Sequence, residues 1–142
     1  MTALPFSLFP LFANNLFVVT TSGAGTVYSG TPLTQSGTFS ASPNILGIFG
    51  KAAPNAADTK YYVVARDPTN TIQILGANFA AAGSPISIGQ VATAAAMTPD
   101  GRRLVLAAGN LGIYNTDNDA DATPTQFLDI GVRPNDVAIS QD

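Results

Sequence analysis

Ala95-Ala96-Met97-Thr98-Pro99-Asp100-Gly101-Arg102-Arg103-Leu104-Val105-Leu106-Ala107-Ala108-Gly109 is the stretch that decides how this chain folds. At its centre Thr98-Pro99-Asp100-Gly101 spells a tight turn. Proline sets φ at the second position, and glycine tolerates the positive φ needed to leave. A strand over 92–98 is expected before the turn and a second over 102–108 after it. Leu104-Val105-Leu106-Ala107 is apolar at successive positions, so that strand should be covered on both faces. Gly109-Asn110 is a further turn signal. A third strand is expected at 111–115, then a polar loop over 116–125 and a fourth strand at 126–130.

This four-stranded unit recurs. Shifted by 42 residues, Ile88-Gly89 falls on Ile130-Gly131, and Ala96-Met97-Thr98-Pro99-Asp100 falls on Ala138-Ile139-Ser140-Gln141-Asp142. In the preceding unit Lys60-Tyr61-Tyr62-Val63-Val64-Ala65 matches the second strand. Asp67-Pro68-Thr69-Asn70 matches the turn after it, and Thr71-Ile72-Gln73-Ile74-Leu75 the third strand. Residues 85–88 fit the fourth strand, and 45–49 the first, with a longer turn over 50–59. Earlier still, Leu16-Phe17-Val18-Val19-Thr20 matches the segment starting at Tyr61. Strands are expected there at 26–29 and 37–40, with Asn14-Asn15 in the first turn and 6–12 before it. One supersecondary block used repeatedly sets the architecture. The chain is read as one partial domain, with units at about 6–40, 45–89 and 92–131 and the start of another at 135–142. Because that last strand would lack its hairpin partner, the chain is expected to be a piece of a longer protein.

Composition agrees with strands. The apolar fraction is 46%, as in a globular protein, but only 11% of residues are charged, against about 25% in an average soluble domain. All the acidic residues are Asp, Lys and Arg are few, and Gly and Pro are plentiful. Strong helix formers are thus scarce. The net charge of −3 and scattered basic residues leave no electrostatic footprint for nucleic acid. Without cysteine there are no disulfides or thiolate sites. No apolar run reaches the roughly 20 residues of a membrane-spanning helix. The Phe-rich start, Met1 to Phe12, lacks a basic n-region and is interrupted by Pro5 and Pro10. It is read as a strand of a first, imperfect repeat rather than a signal peptide.

Taken together, the Pro99-Asp100-Gly101 turn with its flanking strands resembles the blade signature of the YVTN-type β-propeller repeat family. Gly112-Ile113-Tyr114-Asn115-Thr116 resembles the second part of that signature. Gly131-Val132-Arg133-Pro134-Asn135-Asp136-Val137-Ala138 resembles the lead-in to a next blade. The resemblance is specific in the last third and loose before Ile45. Asn115 stands where the family usually has Asp, and Gln73 lies near that place one unit earlier. The absence of Trp sets the chain apart from WD40, kelch and tryptophan-motif propellers. The resemblance implies an all-β fold: an incomplete arc of about three four-stranded antiparallel blades plus the first strand of a fourth. Full propellers of this kind usually close with about seven blades. It also implies a bacterial, secreted protein, extracellular or periplasmic. A related fold serves lactonases acting on sugar lactones.

Chemistry-bearing patterns are sparse. Without His, neither a Ser-His-Asp nor a Cys-His nucleophile can be assembled, and imidazole zinc sites are excluded. Asp117-Asn118-Asp119-Ala120-Asp121 has the spacing of a calcium loop. The pattern then fails at Ala122, where glycine is needed, and at Leu128, where Glu is needed. It is read as a solvated loop, and no metal or cofactor is expected. Gly23-Ala24-Gly25 lacks the third glycine and following helix of a dinucleotide fingerprint, and is read as a hairpin. Tyr61-Tyr62 is read as packing between blades, since neighbouring strand residues point to opposite faces.

The loops that lead into the blades form the candidate binding rim, with Asn44, Gln90, Arg133, Asn135 and Asp136 as candidate residues. Arg133 is the sharpest, because a guanidinium can clamp a carboxylate or phosphate. Pro134 and Asn135 also serve simply to shape a turn. The function expected is a non-catalytic scaffold or interaction module with a protein or carbohydrate ligand. The alternative is part of a lactonase-like or other hydrolytic propeller whose catalytic residues lie outside this chain. An arc has two open ends. If each leaves about 400 Å² of apolar surface wet, the loss is on the order of 10 kcal/mol per end. Further blades or self-association are expected to cover them, and the bare chain otherwise to fold poorly or aggregate.

Overall fold

The computed structural model describes residues 15–51, 56–66, 68–117 and 126–140. They form an all-β structure of three antiparallel sheets. Its one helical element is a single 3₁₀ turn, Ala56–Asp58. The first sheet holds β1 (Leu16–Val19), β2 (Ala24–Ser29) and β3 (Thr34–Ser40). The second holds β4 (Ile45–Lys51), β5 (Lys60–Ala65), β6 (Thr71–Leu75) and β7 (Ile86–Ser87). The third holds β8 (Ala94–Met97), β9 (Arg103–Ala108), β10 (Asn110–Asn115) and β11 (Gln126–Leu128). Within every sheet the strands lie side by side in chain order, so each sheet is a meander.

Turn chemistry places the hairpins. The Gly101 amide donates to the Thr98 carbonyl at 2.8 Å, and Gly101 has φ +68°. Asp100 locks the same turn: its Oδ1 accepts from Thr98 Oγ1 at 2.6 Å and from the Arg102 amide at 3.0 Å. These bonds favour the ionised carboxylate and hold Asp100 below the usual carboxylate range. Gly23, at φ +89°, turns the chain between β1 and β2, so the Gly23-Ala24-Gly25 segment is a hairpin.

Strand alternation then decides which residues meet. On β5, Tyr62 and Val64 join Ile72, Ile74 and Ile86 against Leu104, Leu106 and Tyr114 of the third sheet. Tyr61, Val63 and Leu75 face the other way, against Phe17, Val27 and Phe39 of the first sheet. The second sheet is therefore sandwiched, and its strands read as continuous apolar runs for that reason. Phe79, from the loop between β6 and β7, plugs the first joint. Its ring lies 6.0 Å from that of Phe17 and 5.4 Å from that of Tyr61. Gly37 leaves the space, since a Cβ there would strike the Phe79 ring.

The four-strand reading holds for the second and third units. In the first, three strands fall among the described residues, and the strand expected at 6–12 lies outside them. Residues 135–140, expected as the first strand of another unit, carry no strand assignment. A strand is defined by its hydrogen-bonded neighbour, and among the described strands none pairs with this segment.

Candidate functional site

Antiparallel alternation gathers particular loops at one end of the stack. Strand β4 starts after Asn44 and β5 runs up to Arg66, so both residues sit at the same end of the second sheet. The Arg66 amide donates to the Asn44 carbonyl at 3.1 Å. Asn44 holds φ +58°, a left-handed backbone that Asn tolerates better than most residues. In the third sheet β8 starts after Gln90 and β9 runs up to Gly109, which puts those two residues at one end as well. This is the same end of the stack, because the opposite ends meet through Lys51 and Asp117. This end forms the rim.

Two depressions open on the rim. The first, of about 570 Å³, lies between the first and second sheets and is lined by Phe17, Thr20, Thr21, Asn44, Ile45 and Arg66 among others. The second, of about 400 Å³, is lined by Gln90, Gly109, Asn110, Asp129, Gly131, Val132 and Arg133. Gly109, at φ +76°, lies directly under Gln90: a Cβ there would collide with the Gln90 side-chain oxygen. Asp129 is committed locally, its Oδ1 accepting from the Gly131 amide at 2.8 Å. The second depression thus offers an amide, a carboxylate and a guanidinium on exposed loops held by a rigid sheet.

The structure brings Gln90 and Arg133 together and puts Asn44 in the neighbouring depression. Asn135 and Asp136 line neither. Both are exposed, and Asp136 Oδ1 accepts from the Val137 amide at 2.8 Å, which shapes the local turn. Arg66, Asn110 and Asp129 are lining residues that the loop-by-loop reading did not single out. The repeat holds the signal for Arg66: Ala65 and Ala108 end corresponding strands, so Arg66 and Gly109 are equivalent turn positions.

The opposite end is closed by a polar cluster. Asp117 accepts from Lys51 Nζ through Oδ1 at 2.6 Å and from Arg102 Nε through Oδ2 at 2.8 Å. These two cations hold its carboxyl below the usual range, Lys51 contributing more. Lys51 Nζ also donates to the Thr116 carbonyl at 3.0 Å. The buried Tyr62 hydroxyl donates to that carbonyl at 3.2 Å, and Thr116 Oγ1 donates to the Gly101 carbonyl. The first carboxylate of the Asp117–Asp121 pattern is therefore occupied by two cations. The other members of that pattern lie outside the described residues. Among the described residues no three acidic side chains converge to hold a metal ion.

Tyr61 and Tyr62 are both packing residues, on opposite faces. The Tyr61 ring lies 5.1 Å from Phe17, and the Tyr62 ring 6.1 Å from Tyr114. No helix among the described residues is long and apolar enough to cross a membrane. No family model matches the sequence, and no curated protein matches it either.

Proposed function

We propose that the three stacked meanders are blades of a YVTN-type β-propeller arc, and that the chain is a non-catalytic interaction scaffold. Its ligand, a protein or a carbohydrate, seats on the rim. One observation carries this reading: Gln90 and Arg133, from successive links between units, share one polar depression with Asn110 and Asp129. Hydrogen-bonding groups on loops held by rigid strands suit recognition of a polar surface. Nothing in the depression supplies a nucleophile with an adjacent base. With this family reading goes export from a bacterial cell.

The test is a glycan and peptide array probed with the wild-type chain and with the Q90A/R133A double variant. The reading predicts a polar ligand whose binding weakens at least tenfold in the double variant while the thermal melt stays put. Equal binding by the double variant would contradict the site. Calcium-dependent hydrolysis of a lactone by the wild-type chain would contradict the absence of catalysis.

A further inference from the structure

The two joints between sheets are built from the same positions. Phe17 and Val19 on β1 correspond to Tyr62 and Val64 on β5, and these to Val105 and Ala107 on β9. The first two pairs point toward the following sheet. Leu16 and Val18 correspond to Tyr61 and Val63, and these to Leu104 and Leu106. The last two pairs point toward the preceding sheet. Every sheet thus has one face of each kind, and each joint mates a forward face with a backward one.

Among the described residues, one face of each kind has no partner sheet. The forward face of the third sheet carries Val105 and Ala107, in register with Ile113 and Leu111, and Leu111 is in register with Leu128. It is apolar across three strands: Ala107 is buried, Val105, Leu111 and Ile113 are half-buried, and Leu128 at the sheet edge is 47% exposed. The backward face of the first sheet carries Leu16 and Val18, which are 48% and 50% exposed, with Tyr28 and Thr26 in register beside them. These faces lie at opposite ends of the stack and belong to the two halves of one joint.

We propose that the forward face of one copy receives the backward face of a second copy, so that the chain associates head to tail. The occupant follows from continuity: each internal joint already mates these same strand positions. A heterologous contact of this kind can extend from copy to copy, closing into a ring or growing as a filament. The inference stands on the two joints and not on the ligand or the propeller family, so failure of the rim test leaves it untouched.

The experiment is light scattering coupled to size exclusion on the full 142-residue chain, with the variants Val18→Lys and Leu128→Lys. Both positions are half exposed, so the charge should spare the fold, and circular dichroism checks it. Wild type is expected to grow in mass with concentration. Each variant alone is expected to stop at a monomer, because one of its two faces is spoiled. Mixed in equal amounts, they are expected to form a heterodimer of twice the monomer mass. The Val18→Lys copy keeps its forward face and the Leu128→Lys copy keeps its backward face. That recovery also shows that both variants are folded. A wild-type chain that stays monomeric overturns the proposal. So does a Val18→Lys variant that still self-associates, or a mixture that yields no heterodimer.

Discussion

Lys51, the last residue of β4, and Asp117, just past β10, meet at 2.6 Å across the joint between the second and third sheets. Arg102 holds the second oxygen of the same carboxylate at 2.8 Å, and Lys51 also reaches the Thr116 carbonyl. The chain thus ties its second and third units together through a strand-end lysine and a loop aspartate that are remote in sequence. Acid should loosen this tie. The folded-state pKa of Asp117 is depressed, with the Lys51 bond as the largest cause and Arg102 next. Its contribution is therefore present above the ordinary Asp value of about 3.9 and is lost as pH falls through the lower folded value. Urea midpoints measured from pH 6 downward should fall more steeply in wild type than in D117N. Parallel profiles would show that the carboxylate does not couple to folding.

An alkaline limb is expected from Tyr62. Burial raises its pKa, with a smaller contribution from neighbouring Tyr114, against the opposing hydrogen bond at Thr116. A raised folded value means stability is intact below the ordinary Tyr value of about 10 and declines as pH rises beyond it. Tyr62→Phe should flatten that decline. It should also cost about 1 kcal/mol near neutral pH, where the bond to the Thr116 carbonyl is lost. Chemical denaturation at pH 7 and pH 11 reads both effects.

Phe79 is a bulky residue at φ +63° whose ring fills the first joint between Phe17, Tyr61 and Gly37. Phe79→Ala should destabilise by about 3–5 kcal/mol, the usual range for emptying an aromatic site. The loss should be local. Amide exchange should speed up in β1–β3 more than in β8–β10, because the second joint does not use this ring. Uniform acceleration across all three sheets would mean that the joints are not separable.

Gly109 tests how the rim is shaped. Its φ is +76°, and an added methyl would meet the Gln90 side-chain oxygen. Gly109→Ala should cost about 1–2 kcal/mol through backbone strain. It should also displace Gln90 from the second depression and weaken binding of any ligand found on the array. An unchanged melt and unchanged binding would mean that this turn accommodates a side chain at position 109 without strain.

Much of the architecture was legible because turns are written locally. Pro99, Asp100 and Gly101 suffice to place one hairpin, and the apolar run from Leu104 to Ala107 announces a strand covered on both faces. Residues 135–140, expected as a strand, show the opposite case. Their apolar spacing suits a strand, but pairing is a property of the neighbour, and no described strand lies alongside. Gln90 and Arg133 could be nominated from their place in the links between units. Asp129 could not, because the expected fourth strand ran over 126–130, whereas β11 ends at Leu128 and leaves Asp129 in the link. The tie between Lys51 and Asp117 was likewise invisible, since nothing in either local sequence names the other.

Adjacent residues Tyr61 and Tyr62 give the sharpest test of the stacked arrangement. Ring-proton nuclear Overhauser contacts in a side-chain-labelled sample would report which sheet each ring touches. The stack predicts contacts from Tyr61 to Phe17 and Phe79, and from Tyr62 to Tyr114, with none between Tyr61 and Tyr114. Contacts from both tyrosines to the same sheet, or from neither to any other, would contradict it.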